Sequence, residues 1–193
     1  PRPMPRPTPA PAAIIERYSF NDGTASASGS NNGVYYGSSA HPKAEHTTSV
    51  DGGNALALYG NEWVDFPAAL TANILGSTPR TICLWAQLDT IKDSALFEYG
   101  AQTDGGNFGL WFASDTVIRI QLWGIDEDVT ISNMDKGWHH YCLGYDGSDV
   151  VFYFDGQKKW SGARALDTRD DIVLRVGGRA GAYLLDGAVD DLR

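Results

Sequence analysis

From Ile14 onward, several segments place apolar side chains at every second position, the period of strands with one buried face. In Thr81–Leu88, Ile82, Leu84 and Ala86 point one way, and Cys83, Trp85 and Gln87 the other. In Asn107–Ala113, Phe108, Leu110 and Phe112 share a face opposite Trp111. In Val117–Trp123, Ile118, Ile120 and Leu122 oppose Arg119, Gln121 and Trp123, and in Trp138–Tyr145, Tyr141, Leu143 and Tyr145 oppose His140 and Cys142. Further strands are predicted at Ile14–Phe20, Ala95–Tyr99, Val129–Ile131, Val150–Phe154, Gln157–Trp160, Ile172–Val176 and Tyr183–Leu192. Ala55–Tyr59 and Trp63–Phe66 read as a hairpin around Gly60-Asn61, and Asn21–Gly33 as a long turn-rich loop. Only Pro67–Leu75 has room for a helical turn. Many short strands at a spacing of about 8–12 residues predict a sandwich or jelly roll.

Three strands place a Trp on the face that their aliphatic residues avoid: Trp85, Trp111 and Trp123. If those strands share a sheet, the three rings form one aromatic patch beside Arg119, Gln121 and His140. Sugars offer apolar C–H faces rimmed by hydroxyls, and flat rings with planar polar groups suit them. The alternative is that loops cover the patch and bury it as a second small core.

Composition sharpens this picture. The chain has 193 residues and a net charge of −9, which argues against a nucleic-acid surface. Its acids are 19 Asp and only 5 Glu, and with 22 Gly they favour turns over helices. No apolar run approaches the ~18 residues of a spanning helix. Six of the nine prolines lie in residues 1–11, so segment 1–13 reads as a polyproline-II tether to neighbouring domains, with the folded part at 14–193. With no signal-peptide pattern and no initiator Met, the chain reads as a piece of something longer.

Five segments stand out: Tyr18-Ser-Phe-Asn-Asp-Gly23, Thr81-Ile-Cys-Leu-Trp-Ala86, Gly137-Trp-His-His-Tyr-Cys-Leu-Gly-Tyr-Asp-Gly147, Val151-Phe-Tyr-Phe-Asp-Gly156 and Leu185-Asp-Gly-Ala-Val-Asp-Asp-Leu-Arg193. In order and spacing they resemble laminin-G-like domains of the concanavalin A-like lectin/glucanase superfamily. The resemblance implies an all-β, two-sheet antiparallel jelly-roll sandwich. Cys83 and Cys142 occupy positions similar to a bonded pair in the pentraxins, which implies a disulfide between them. Alternation puts both on the outward side of their strands, and a bridge would imply an oxidising compartment. The resemblance also implies one structural Ca2+ where the opening loop meets the closing acids, with Asp22, Asn31, Asn32, Asp190 and Asp191 as candidate ligands. Ser26 stands where relatives often carry an Asp. The pentraxin calcium loop has no counterpart, since Gly177-Gly-Arg-Ala-Gly-Ala182 stands near its place.

Glucanases of this superfamily carry an E-x-D-x-x-E pattern, with two carboxylates on one face at the ~5–5.5 Å that retention needs. Here Asp126-Glu127-Asp128 are contiguous and read as a solvated turn. His139 and His140 are adjacent, so on a strand they face opposite ways and cannot chelate together; His139 reads as an internal hydrogen-bonding residue. The sequence therefore points to a non-catalytic carbohydrate-binding or adhesion module, extracellular or on a cell or virion surface, with Trp85, Trp111, Arg119, Gln121, Trp123 and His140 as ligand-binding residues. A structural or oligomerisation domain is the alternative, and a polysaccharide lyase or glycosidase the third reading.

Overall fold

The alternation has a direct structural consequence: strands that each bury one face must close on one another in two layers. The computed structural model describes residues 16–21, 24, 31–41, 43–132, 134–179 and 182–193. The Pro-rich segment 1–13 lies outside the described residues. The first sheet holds β1 (Val34–Tyr36), β4 (Trp63–Asp65), β13 (Ile172–Val176), β6 (Ser94–Gly100), β7 (Asn107–Ser114), β8 (Val117–Gln121) and β9 (Glu127–Thr130), in that spatial order. The second holds β12 (Gln157–Ala163), β11 (Asp149–Phe154), β10 (His139–Tyr145), β5 (Arg80–Thr90), β14 (Asp186–Asp190), β3 (Asn54–Tyr59) and β2 (Glu45–Thr48). All named pairings are antiparallel. The molecule is the two-sheet antiparallel jelly-roll sandwich that the resemblance implied. One helical turn, α1 (Ala68–Thr71), falls inside 67–75. No helix among the described residues is long and apolar enough to cross a membrane.

The core lies between the sheets. Ile82, Leu84 and Ala86 of β5, Phe108, Leu110 and Phe112 of β7, Ile118 and Ile120 of β8, and Tyr141 and Leu143 of β10 all meet there. Each Leu, Ile or Phe among them contributes roughly 1.5–3 kcal/mol on burial. At one end Arg80 is buried with its guanidinium 4.6 Å from the Phe108 ring centre and 5.0 Å from that of Tyr145. It donates to the carbonyls of Gly76 (3.1 Å) and Thr78 (2.8 Å) and to the Thr168 hydroxyl, so the buried charge is shared among fixed dipoles.

Three expectations need correction. Ala55–Tyr59 and Trp63–Phe66 do not form a hairpin: β3 belongs to the second sheet and β4 to the first. Leu56, Leu58, Val64 and Phe66 all point into the core from opposite layers, which a single hairpin could not achieve. The Glu62 carboxylate accepts from the amides of Tyr59 (2.7 Å) and Asn61 (3.2 Å), so a side chain satisfies the corner. The opening strand reduces, among described residues, to one bridge between Tyr18 and Leu192. Finally, Glu127 and Asp128 lie on the edge strand β9 and not in a turn. The sequence reading missed β1 and β2. Both are edge strands with mostly exposed side chains, and neither has a buried face to impose alternation.

Candidate functional site

The three tryptophans do not form one patch. Trp85 is on β5 of the second sheet, whereas Trp111 on β7 and Trp123 just after β8 belong to the first. Alternation fixes which face of a strand a side chain takes, but not which sheet the strand joins. The six expected ligand-binding residues therefore divide into Trp111, Arg119, Gln121 and Trp123 on one outer face, and Trp85 and His140 on the other.

On the first outer face, register aligns Asp65, Arg175, Glu98, Gly109 and Gln121 across β4, β13, β6, β7 and β8. Arg175 forks onto Asp65 (2.7 and 3.4 Å). Arg119 forks onto Asp128 (2.8 and 2.9 Å), a bond that holds the Asp128 carboxyl below its usual range. Gln121 is buried and donates to Asp126 (3.3 Å). Described residues on either side of 180–181, between β13 and β14, lie against this face. Arg179 sets its guanidinium 5.2 Å from the Trp111 ring centre and 5.1 Å from that of Trp123. Tyr183 lies on Trp111 with ring centres 4.8 Å apart. Trp111 is thus only 6% exposed, while Tyr183 is 45% exposed. At the far edge Tyr36 stacks on Trp63 at 5.0 Å. Trp123 and Tyr183 both hold left-handed backbone (φ 57° and 51°), which is costly for bulky residues and is concentrated at functional sites. Sequence reasoning missed Glu98, Arg179 and Tyr183. The usable signal was Glu98, the one charged residue in the otherwise apolar run Ala95–Tyr99.

On the second outer face Cys83 and Cys142 are directly opposed and disulfide-bonded, with Cα atoms 4.1 Å apart. The Cys83 backbone exchanges its hydrogen bonds with Arg193 (3.0 and 2.8 Å) and not with Cys142. This leaves Cys83 and Cys142 as the close, non-hydrogen-bonded kind of cross-strand pair. One step along, Trp85 opposes His140, with ring centres 5.1 Å apart. They line an open pocket of about 510 Å³ with Trp138, Asp155, Asp191 and Arg193. Burial, then Arg193, holds the His140 pKa below its ordinary value. His139 bonds Asp155 (2.8 Å) and Asp135 (3.0 Å), the internal bonding role expected of it. Among the described residues, the sulfurs of Cys83 and Cys142 with His140 are the only group of this kind close enough to share a metal ion, and here the sulfurs are bonded to each other.

The candidate calcium ligands fit an oxygen-seeking cation only in part. Asp191 bonds Arg17 (2.6 Å) and Arg193 (3.0 and 2.6 Å). Burial lifts its pKa, but the two guanidinium groups outweigh that and hold it below the usual carboxylate range. Its charge is already matched. Asp190 is buried and accepts only neutral donors in these contacts, the Ser49 hydroxyl (2.6 Å) and the Asp191 amide (2.7 Å); burial lifts its pKa. Ser49 also donates to Asp51 (2.7 Å). Asn31 instead turns to Glu16 (3.3 Å), and Asn32 is exposed. Asp22 and Ser26 lie outside the described residues.

The acids 126–128 are each engaged: Asp126 accepts from the Leu122 amide (2.7 Å), Glu127 from Arg164 (2.7 Å) and Asp128 from Arg119.

The fold is thus a two-sheet antiparallel sandwich with aromatic rings on both outer faces. The chain belongs to the concanavalin A-like lectin/glucanases superfamily, whose family model matches residues 58–193. Among solved structures it is similar to domain 4 of AbnA, a GH43 extracellular arabinanase from Geobacillus stearothermophilus, in complex with arabinotriose. That match has a TM-score of 0.70 at 17% identity and covers 94% of this chain and 91% of the other. It is also similar to the CBM40 of Ruminococcus gnavus IT-sialidase bound to α2,3-sialyllactose, with a TM-score of 0.58, 14% identity and coverage of 72% and 88%. These likenesses establish the shared fold. No curated protein matches significantly.

Proposed function

We propose that this protein is a non-catalytic carbohydrate-binding module, displayed outside the cell or on a virion surface, with segment 1–13 as its tether. The glycan lies along the outer face of the first sheet. The observation that carries this reading is the row of flat rings on that face, from the Tyr36–Trp63 stack to Tyr183, Trp111 and Trp123, separated by guanidinium–carboxylate pairs. Rings suit the C–H faces of sugars, and the planar pairs suit their hydroxyls. The fold neighbours, both sugar-complexed domains, agree with it. The engagement of all three acids at 126–128 supports a role in binding and not in hydrolysis.

A glycan array probed with the intact chain, together with a reducing-end and lyase-product assay, tests the reading. Binding without product formation is expected. One observation favours a second reading: Trp111 is nearly covered by Tyr183 and Arg179, as a small structural core would be. An empty array with a defined oligomer in solution would establish that reading instead.

A further inference from the structure

Glu98 is fully buried, yet it belongs to the outer face of the first sheet and not to the core between the sheets. Its neighbour across β7 is Gly109, where a Cβ would come within 2.9 Å of the Glu98 Cβ and 2.6 Å of the Phe97 carbonyl oxygen. The missing side chain leaves a dip in the sheet, and Glu98 sits in it. Above stands the Arg179 guanidinium, with Nε 2.9 Å from Glu98 Oε1 and the Trp111 and Trp123 rings on either hand. Tyr183 closes over Trp111. The arrangement is an aromatic cage around a cation with a buried carboxylate as its floor, and the cation is the protein's own.

The internal occupant matches the cage in charge but not in geometry. Both Glu98 oxygens, Trp111 Nε1, and Arg179 Nε and Nη2 are buried without a well-formed hydrogen bond. A guanidinium carries five donors in a fixed fork and needs an acceptor for each. A compact ammonium asks for fewer, and rings around a cation are the standard means of holding one. Only the Arg179 side chain has to leave, because the backbone beside it is tied by Gly177 N to Leu96 O (3.0 Å) and Ala95 N to Tyr183 O (2.9 Å).

Resting on the glycan-binding reading of this face, we propose that the cage is a subsite for the protonated amine of an amino sugar, and that Arg179 plugs it when it is empty. A neutral sugar in Arg179's place would leave Glu98 buried and unpaired, and an acidic sugar would add a second negative charge. The net charge of −9 draws a cationic glycan toward the molecule. The Tyr36–Trp63 stack on the same face offers flat rings for further sugar units, which a lysine side chain does not need.

The test titrates the intact protein, by tryptophan fluorescence and calorimetry in mildly acidic buffer, with a glucosamine oligomer, its fully N-acetylated counterpart and a lysine polymer. The glucosamine oligomer should quench fluorescence and bind at least about tenfold more tightly than either of the others, the scale of a desolvated cation–ring contact. Arg179→Ala should strengthen that binding about tenfold by removing the competitor, and adding Glu98→Gln should abolish the gain. If Arg179→Ala fails to fold, the discrimination between amine and acetamide by the unaltered protein decides alone. Equal affinity for amine and acetamide, or a lysine polymer as tight as the sugar, overturns the cage assignment. Array binding to neutral or acidic glycans with no preference for amines overturns the cage but keeps the glycan function. No glycan bound by either form overturns both.

Discussion

The two outer faces of the sandwich follow the same alternation rule and reach opposite states. On the first sheet Arg179 and Tyr183 lie against the face, and Glu98, Trp111 and Gln121 lie buried beneath or beside ion pairs that could exchange for ligand contacts. On the second sheet the neighbouring strands β5 and β10 are fixed by a covalent bond, and Trp85 and His140 beside it line an open pocket. The first face is held by replaceable contacts, the second by an irreplaceable one. We propose that recognition uses the former, where a ligand can take over contacts that the protein's own side chains now make, at the cost of displacing them.

The largest effect should come from the covalent side. Replacing Cys83 and Cys142 together by Ala removes a link across a sequence separation of 59 residues, worth about 4 kcal/mol in the chain-entropy model. Chemical denaturation should show that loss, while glycan affinity measured well below the transition stays unchanged. A parallel loss of affinity would break the division of labour between the faces.

Next comes the contrast within the first face. Trp111→Ala should cost about 3 kcal/mol of stability, the lower end for truncating a buried aromatic. Trp123→Ala, at a half-buried ring, should leave a stable fold and weaken glycan binding by more than about 1 kcal/mol. If both variants unfold with similar ease and the parent binds nothing, the face is a second small core.

The smallest effect concerns Asp190, which sits opposite Trp85 in register. Burial raises its pKa in the fold, so its contribution to stability is present below the ordinary carboxylate pKa and is lost as pH rises through the raised value. We propose that calcium on Asp190 keeps the carboxylate charged and removes this loss. Added calcium at about fourfold its Kd should then stabilise by about 0.9 kcal/mol relative to chelator. Superimposable melting curves in the two buffers would leave the second face with sulfur as its only staple.

Much of the fold was legible because β5, β8 and most of β10 bury chiefly one face and so carry the two-residue period in their sequence, while β7, buried on both faces, still spaces Phe108, Leu110 and Phe112 two apart. β13 was read to the residue. The edge strands β1 and β2 bury too little to write any period at all. The candidate site was legible only in pieces. Trp111 and Trp123 were found by their faces, but the division from Trp85 depends on strand pairing, a long-range choice that local periodicity does not encode. The Glu98–Arg179 contact joins two distant segments through a connection with no period of its own.

The bridge between Tyr18 and Leu192 has a mechanical consequence. It sets the first and last described segments side by side, running in opposite directions and joined by Tyr18 N to Leu192 O (2.8 Å) and Leu192 N to Tyr18 O (3.0 Å). A pull applied between these two points would peel them apart one bond at a time and would not shear the sheets across their width. The yielding point under tension is therefore this seam, and the aromatic face of the first sheet stays off the line of force.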